Sequence, residues 1–237
     1  MLNLLLLPGM LCDAASWRAQ VTDLADVANL RVMSYGDADS FEAMAEAVLA
    51  TAPERFALAG HSMGGRVAQE VYRKAPERVI ALALLATDYR GHADEAARAA
   101  ESARRDSILA RVRADGMDTF ARFWAPQAIA PANMANAELV ADAVAMMARH
   151  SPAALEAETL AGLTRPDRSA LLPTIACPTL ICPGDQDTLR PVAIHQDMAA
   201  RIPNARLVVI EGSGHMVAME RPDAVSAAMR GWLVRAA

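Results

Sequence analysis

The sequence predicts an α/β fold, with a mainly parallel sheet flanked by helices and a helical insertion. Three observations predict it: short apolar runs alternate with longer segments of helical periodicity, the alternation breaks once, and a glycine-flanked serine stands where an apolar run meets a helix. The 237 residues are enough for one such domain with an inserted part. Hydrophobic residues make up 54% and charged residues 22%, so a sizeable core is expected.

Six apolar runs are predicted to be strands, and the helical segments between them indicate parallel pairing. The predicted strands span residues 3–7, 31–35, 56–61, 79–87, 179–183 and 206–211. The predicted helices between them span residues 16–25, 41–51, 66–75, 192–202 and 222–234. Pro222 suits a first helical turn, whose amide hydrogens lack partners, and Pro76 ends the helix that follows the serine.

The alternation breaks at residues 89–172, which contain no convincing strand. Helical blocks are predicted there at residues 93–114, 117–124, 136–149 and 152–163. We therefore predict a core formed by residues 1–88 and 173–237, and a helical cap (lid) formed by residues 89–172. The arginine-rich part of the first block is interleaved with acidic residues, which favours a solvated helix face over an anion site.

Composition and charge restrict the function. The formal net charge of −5, without a basic stripe, argues against a nucleic-acid partner. Cys12, Cys177 and Cys182 lack metal-ligand spacing, so we predict buried free thiols in a reducing compartment. The first apolar run has no Lys or Arg before it and is stopped by Pro8-Gly9, so we expect no signal peptide. No stretch approaches the ~20 apolar residues of a membrane span, and we expect a cytoplasmic protein.

The glycine-flanked serine lies in Gly60-His61-Ser62-Met63-Gly64-Gly65, between a predicted strand and a predicted helix. This is the G-x-S-x-G nucleophile elbow, in which the serine hydroxyl stands clear of the sheet. Gly60 and Gly64 suit such a turn because only hydrogen fits where the two backbones nearly touch. Ser62 would stand at a helix N-terminus, where partial positive charge favours a developing oxyanion. His61 is expected to pack rather than to act as a base.

A serine hydroxyl needs an adjacent base to accept its proton. In chains of this order, an acid and then a histidine follow the serine. Asp185 and Asp187 follow the strand at residues 179–183, and His215 follows the strand at residues 206–211 after a glycine-rich turn. His92, His150 and His195 show no metal-ligand spacing and are interpreted as surface or cap residues.

These motifs, in this order, resemble the α/β-hydrolase superfamily over essentially the whole chain. The resemblance implies Asp187 as the acid, because Gly184-Asp185-Gln186-Asp187 matches the G-x-x-D loop of the family. It implies His215 as the base, because residues 214–222 match the segment G-H-x-x-x-x-E-x-P. Ser62 would attack, His215 would act as base and then acid, and Asp187 would orient the imidazole. Asp185 and Asp88, an acid position in some relatives, remain alternatives for Asp187.

The resemblance also implies an oxyanion hole built from two backbone amides, those of Met63 and Met10. The usual His-Gly-x of the family is replaced by Pro8-Gly9-Met10, which leaves the amide of Met10 as the expected donor. In the family a glycine-rich turn often follows the second strand, and this chain has the shorter pattern Tyr35-Gly36-Asp37-Ala38-Asp39-Ser40 there.

Arg66 allows two interpretations. Arg66 and Glu70 are four residues apart on a predicted helix, so an ion pair between them is favoured. The alternative is a guanidinium that contacts a substrate carboxylate. Gly64-Gly65-Arg66 resembles the menaquinone-pathway enzyme that eliminates pyruvate with the same triad.

The predicted function is a cofactor-free serine hydrolase that cleaves a small carboxylic ester, thioester or lactone through an acyl-enzyme, without a metal. The alternative is a C–C bond hydrolase or lyase that acts on a carboxylate substrate with the same residues. A remote third hypothesis is a non-catalytic binding protein of this fold, disfavoured because all three triad members are retained. Dehalogenase and epoxide-hydrolase activities are disfavoured because Ser62 stands where those relatives carry a carboxylate.

Overall fold

The computed structural model describes residues 1–235, in which six parallel strands form one sheet. The strands are β1 (Leu2–Leu7), β2 (Ala28–Val32), β3 (Phe56–His61), β4 (Val79–Leu85), β5 (Thr179–Cys182) and β6 (Ala205–Leu207). Their spatial order is β2-β1-β3-β4-β5-β6. Strands β3, β4 and β5 are therefore interior neighbours, and their carboxyl ends meet at one edge of the sheet.

Nine α-helices occur within residues 1–235. They are α1 (Arg18–Asp23), α2 (Phe41–Thr51), α3 (Met63–Lys74), α4 (Glu95–Trp124), α5 (Ala137–Ala148), α6 (Pro152–Leu163), α7 (Val192–Arg201), α8 (Val217–Glu220) and α9 (Pro222–Val234). Side chains cap several of them: Ser40, Asp94 and Ser151 each accept a hydrogen bond from an amide in the first turn. Pro222 opens α9, where a missing amide hydrogen costs nothing.

Helices cover both faces of the sheet, as the fold prediction required. Successive side chains of a strand point to opposite faces. Leu5 and Leu7 accordingly pack into a buried cluster with α2, α3 and α7, whereas Leu4 and Leu6 pack into a second cluster with α9. A third cluster lies within α4, α5 and α6 and includes Leu11 of the core.

Several element boundaries differ from the prediction. The second strand begins at Ala28 rather than at residue 31, because it is an edge strand in which apolar and polar residues alternate instead of forming a run. Strand β4 ends at Leu85, since Ala86 takes a φ of 45°. Strand β6 is shorter than predicted, with Ile210 making only an isolated bridge to Gly184. Cys12 and Cys182 are buried as predicted, but Cys177 is partly exposed, and all three are free thiols.

The insertion between β4 and β5 is helical. Residues 89–172 contain α4, α5 and α6 and no strand. Two predicted blocks are merged in α4, which changes direction at Gly116, where φ is 82°. Within residues 1–235, no helix combines the length and apolar character of a membrane span. The division into core and cap stays a prediction.

Candidate active site

Ser62 lies at the tight turn between β3 and α3, with φ at 51° and ψ at −113°. The turn requires residues without a side chain on both sides of it. A Cβ atom added to Gly60 would lie 2.3 Å from the carbonyl oxygen of Gly64, and one added to Gly64 would lie 2.1 Å from that of Leu7. The two glycines of the elbow pattern are therefore fixed by backbone contacts, and Ser62 is held at the N-terminus of α3.

Neighbouring strand β4 supports this strained turn. The amide of Ser62 donates to the carbonyl oxygen of Leu85 at 2.9 Å. Thr87 Oγ1 donates to the carbonyl oxygen of Ser62 at 2.6 Å, and its side chain fills the space where a Cβ of Gly65 would lie. Sequence reasoning missed Thr87 as a functional residue, because its contact to the elbow depends on the pairing of two strands and has no local motif.

His215 lies between Ser62 and Asp187. Its Nε2 is 2.8 Å from Ser62 Oγ, and its Nδ1 is 2.7 Å from Asp187 Oδ2. Since the carboxylate can only accept, Nδ1 carries the proton in this arrangement and Nε2 is free to accept the proton of the serine hydroxyl. The structure thus brings together the three residues predicted from the motif order.

Asp187 is fixed in the loop that leaves β5. Its Oδ1 accepts hydrogen bonds from the amides of Leu189 and Arg190, both at 2.8 Å. Burial acts to raise the pKa of Asp187, but the hydrogen bond and charge of His215, together with these two amides, outweigh it and lower the pKa. Asp187 is therefore ionised at neutral pH and suited to stabilise an imidazolium.

The two alternative acids have other partners. Asp185 is exposed and accepts a hydrogen bond from the amide of Ser213 at 3.1 Å. Asp88 is bound by Arg90 through both carboxylate oxygens. Burial raises the pKa of Asp88, but Arg90 and Arg66 outweigh this and lower it to about 2. Within residues 1–235, Asp187 is the only carboxylate that is hydrogen-bonded to His215.

Glu220 anchors the turn that carries His215. Its buried carboxylate accepts from the amides of Gly214 and Met216 at 3.0 and 3.1 Å, and also from the amide of Ala130 at 2.8 Å. The amide of His215 in turn donates to the carbonyl oxygen of Ala128 at 2.9 Å. The histidine is therefore positioned partly by residues of the insertion. The sequence motif contains Glu220 but does not reveal these contacts.

The loop of Pro8, Gly9 and Met10 is anchored without the usual histidine of the family. Tyr35 donates from its hydroxyl to the carbonyl oxygen of Pro8 at 2.8 Å, and the amide of Cys12 donates to the carbonyl oxygen of Gly9 at 3.1 Å. Met63 is the first residue of α3, so its amide belongs to those that have no partner within the helix. The oxyanion roles of Met10 and Met63 stay predictions.

His61 packs beneath this loop, as expected. Its Nε2 donates to the carbonyl oxygen of His215 at 2.7 Å, and a Cβ added to Gly9 would lie 2.9 Å from its Nδ1. Burial, with a smaller contribution from His215, lowers the pKa of His61 to about 4. A neutral His61 therefore supports both the histidine turn and the Gly9 backbone.

His195 is a correction to the sequence interpretation, because it is fully buried rather than on the surface or in the cap. Its Nε2 accepts the amide of Thr87 at 3.0 Å, and its Nδ1 donates to the carbonyl oxygen of Pro191 at 3.2 Å. It therefore orients the end of β4 next to the elbow. Within residues 1–235, no group of three or more His, Cys, Asp or Glu side chains is placed to hold a metal ion.

A pocket of about 230 Å³ opens above Ser62. Its apolar lining includes Met10, Phe41, Trp124, Met147, Leu189 and Met216. Its charged lining comprises Arg66, Arg104, Arg105, Arg165 and Arg190 together with Asp88, Glu101 and Glu158. The interpretation of the arginine run as a solvated face is therefore wrong for Arg105, which is half-buried beside the pocket, whereas Arg104 lines the pocket but is exposed. Arg98, Arg111 and Arg113 are exposed as expected.

The predicted ion pair between Arg66 and Glu70 is also wrong. Glu70 is bound by Arg73 on its own helix and by Arg168 from the insertion. Arg66 instead donates from Nη1 to the carbonyl oxygen of Arg90 at 3.0 Å, with its Nη2 3.8 Å from Asp88 Oδ2. Helical spacing alone could not anticipate the competing partner from residue 168.

The electrostatics of Arg66 favour an anion. Burial lowers the pKa of Arg66 to about 9; Asp88 opposes this effect, while Arg190 and Arg165 add to it by repulsion. A cation that is both buried and repelled by neighbouring cations is stabilised when an anion binds beside it.

Comparison with known proteins agrees with this geometry. A model of the alpha/beta hydrolase family matches residues 4–228. The chain belongs to this family. The hydrolase is 30% identical over 230 residues to the pimeloyl-[acyl-carrier protein] methyl ester esterase of Aliivibrio salmonicida, which covers 93% of this chain and 88% of that protein.

Solved structures are similar over nearly the whole hydrolase. A thermophilic esterase from Thermogutta terrifontis, with malate bound, has a TM-score of 0.88 and 30% identity, covering 100% of this chain and 90% of that one. MenH from S. aureus has a TM-score of 0.87 at 20% identity, covering 99% and 94%, and shows the fold alone.

Proposed function

We propose that the hydrolase is a cofactor-free serine esterase in which Ser62, His215 and Asp187 form the catalytic triad. The observation that carries this proposal is the continuous hydrogen-bonded chain from Ser62 Oγ through the imidazole to Asp187, at 2.8 and 2.7 Å, with the serine at a strained elbow. Members of the family with this arrangement activate a hydroxyl that is otherwise a weak nucleophile.

In the acylation step, Ser62 Oγ attacks the ester carbonyl while His215 Nε2 takes the hydroxyl proton. The carbonyl oxygen becomes an oxyanion, which the amides of Met63 and Met10 would stabilise. Asp187, ionised and buried, stabilises the imidazolium. The tetrahedral intermediate then expels the alcohol or thiol, which takes the proton from His215 and leaves an acyl group on Ser62.

In the deacylation step, a water molecule attacks the acyl carbonyl and gives a proton to His215 Nε2. The second tetrahedral intermediate collapses, the proton passes to Ser62 Oγ, and the free acid leaves. No redox change or cofactor is required in either step, because each one only moves a proton and exchanges one acyl–oxygen or acyl–sulfur bond for another.

The pocket lining favours an acyl group that carries a second carboxylate. Five arginines and three acidic residues line the pocket, and Arg66 stands on the helix that begins at Ser62. The Thermogutta esterase binds malate, a dicarboxylate, and the Aliivibrio relative is named for the ester of a dicarboxylic acid. We propose a monoester or thioester of a small dicarboxylic acid as the substrate class, with Arg66 on the free carboxylate.

We further propose that residues 89–172 act as the lid of this pocket. Arg104, Arg105, Trp124, Met147 and Glu158 line it from the insertion, opposite Ser62. A cytoplasmic location is the proposal most consistent with three free cysteines.

A second candidate is a C–C bond hydrolase or lyase with the same triad. The observation that favours it is the buried guanidinium of Arg66 in the pocket, which suits an acidic substrate of such enzymes as well as an acidic ester. Product analysis separates the two candidates. Ester cleavage consumes water and gives an alcohol or thiol and an acid, whereas an elimination expels an acid without consuming water and leaves a carbon–carbon double bond in the other product.

The proposal is tested with aryl esters that differ in acyl length, with Ser62→Ala as the decisive variant. We expect the wild-type protein to show a burst of aryl alcohol followed by steady turnover, and Ser62→Ala to lose more than about 10³-fold in kcat. Ser107→Ala, which removes an exposed hydroxyl from α4, is the matched control and should turn over normally. Full turnover by Ser62→Ala would contradict the mechanism.

A further inference from the structure

Glu158 is a pocket carboxylate that no step of the proposed mechanism uses. It lies on α6, within the insertion, and lines the same pocket as Ser62. Burial raises the pKa of Glu158 to about 7, although the hydrogen bond from Leu11 opposes this effect. A carboxylate kept in such a place at an electrostatic cost calls for a structural or chemical reason.

Its one hydrogen-bond partner within residues 1–235 is a backbone amide in the opposite wall. Glu158 Oε2 accepts from the amide of Leu11 at 2.8 Å, across 147 residues of sequence. Leu11 directly follows Met10, the expected oxyanion donor. The carboxylate therefore joins α6 of the insertion to the loop that is expected to supply half of the oxyanion hole.

The backbone at this contact is strained. Leu11 has a φ of 52°, in the left-handed region that a branched side chain rarely adopts. Such a conformation costs on the order of 1–3 kcal/mol and persists only where its surroundings hold it. Three contacts hold it here: the amide of Cys12 closes the turn onto the carbonyl oxygen of Gly9, Cys12 Sγ donates to the carbonyl oxygen of Met10 at 3.4 Å, and Glu158 binds the amide of Leu11.

We propose that Glu158 is a positioning residue for the oxyanion hole: by binding the amide of Leu11, it holds the preceding peptide so that the amide of Met10 faces Ser62. The proposal rests on the proposed esterase function. The peptide that carries the Met10 amide is held at the carbonyl oxygen of Gly9 by the amide of Cys12, and the next peptide is held at the Leu11 amide by Glu158. Only the two dihedral angles of Met10 lie between these two held peptides, so each anchor restricts the orientation of the other. Without this acceptor, the loop relaxes and one oxyanion donor moves out of line.

The role depends on an acceptor oxygen and not on charge. A carboxyl group accepts through its carbonyl oxygen in either protonation state, and so does a carboxamide. Glu158→Gln therefore keeps the contact, whereas Glu158→Ala removes it. Glu156→Ala is the matched control, because Glu156 lies on the same helix, is bound to Arg113, and does not touch the loop.

The kinetic test uses the three variants with aryl esters of increasing acyl length. A misplaced oxyanion donor stabilises the transition state less well, and by the same amount for every acyl length. Glu158→Ala should therefore lose about 10-fold or more in kcat at each acyl length, with KM little changed. Glu158→Gln should stay within about 3-fold of the wild-type rate, as should Glu156→Ala. A loss that grows or shrinks with acyl length, or an equal loss in the Gln and Ala variants, overturns the proposal.

Hydrogen–deuterium exchange provides a measurement that does not depend on activity. The peptide containing residues 8–12 should exchange faster in Glu158→Ala, and at the wild-type rate in Glu158→Gln and Glu156→Ala. Unchanged exchange in Glu158→Ala, or faster exchange throughout the chain, overturns the proposal. If the exchange pattern is as expected but Ser62→Ala keeps full turnover, Glu158 anchors the loop while the esterase function itself is wrong.

Discussion

Thr87 Oγ1 donates a 2.6 Å hydrogen bond to the carbonyl oxygen of Ser62, the residue whose φ is 51°. The contact joins the end of β4 to the turn that follows β3. The amide of Thr87 is itself held by His195 at 3.0 Å. The turn at Ser62 therefore depends on two residues of neighbouring elements.

Replacing Thr87 by valine keeps the shape of the side chain and removes the hydroxyl. We expect the free energy of unfolding to fall by about 0.5–1.5 kcal/mol, because the carbonyl oxygen of Ser62 loses the hydrogen bond from Thr87 and keeps the one from the amide of Gly65. We also expect kcat to fall, because the strained turn is less well held. Thr87→Ser keeps the hydroxyl and is the control. Urea unfolding and ester turnover measure the two effects, and a valine variant as stable and active as Thr87→Ser would contradict this role.

Replacing Asp187 by asparagine should lower kcat by about 10²–10⁴-fold with little effect on KM, because the imidazolium of His215 loses its counter-charge and its tautomer is no longer fixed. Asp185→Asn is the control, since Asp185 is exposed and binds only the amide of Ser213. It should stay within about 3-fold of the wild-type rate. A larger loss in Asp185→Asn than in Asp187→Asn would show that the acid is misassigned.

Replacing Arg66 by alanine should discriminate between acidic and neutral substrates. We expect kcat/KM for a dicarboxylic acid monoester to fall by about 10-fold or more, since hydrogen bonds to charged groups contribute about 1.5–3 kcal/mol. For a neutral ester of equal length the change should be within about 3-fold. Arg98→Ala, which removes an exposed arginine paired with Glu95, is the charge-matched control. Equal losses for both esters would contradict a contact between Arg66 and substrate.

Acid should destabilise the protein through two buried histidines. Burial is the main cause that lowers the pKa of His61 and His195 to about 4, against about 6.5 in the unfolded chain. The unfolded state therefore binds more protons between pH 6.5 and pH 4, and stability falls as the pH falls through this range. Glu158 has the opposite effect, because burial raises its pKa to about 7 in the folded protein. Below pH 7 the folded protein therefore binds a proton at Glu158 that the unfolded chain binds only at lower pH, and this stabilises the folded state as the pH falls.

His150 adds to the two histidines, because burial lowers its pKa as well, so the histidines together outweigh the one carboxyl. The free energy of unfolding should therefore fall as the pH falls from 6.5 to 4.5. Glu158→Gln removes the opposing group and should make the dependence steeper. Urea titrations at each pH measure it. A flat profile in Glu158→Gln would contradict the assignment of the two histidines as neutral buried groups.

The proximity of Ser62, His215 and Asp187 was predictable because their sequence signals are local. The elbow needs glycines at fixed offsets from Ser62, and Asp187 and His215 each follow an apolar strand in a loop with its own motif. The helical insertion was predictable in the same way, from the loss of alternation.

The supporting contacts were not predictable, because they join distant parts of the chain. Thr87 reaches Ser62 across 25 residues, and Glu158 reaches Leu11 across 147. The wrong prediction for Arg66 also has a distant contact as its cause. Its helical partner Glu70 is taken by residue 168, which the sequence places in a different segment.

Ser62 is proposed as the nucleophile, and covalent labelling tests this role most directly. A fluorophosphonate probe reacts with a serine only where a base and an oxyanion site activate it. Intact-protein mass spectrometry should show one adduct per chain in the wild-type protein, located at Ser62, and none in Ser62→Ala. An unlabelled wild-type protein under conditions that label a known serine esterase, or an adduct that persists in Ser62→Ala, would contradict the account.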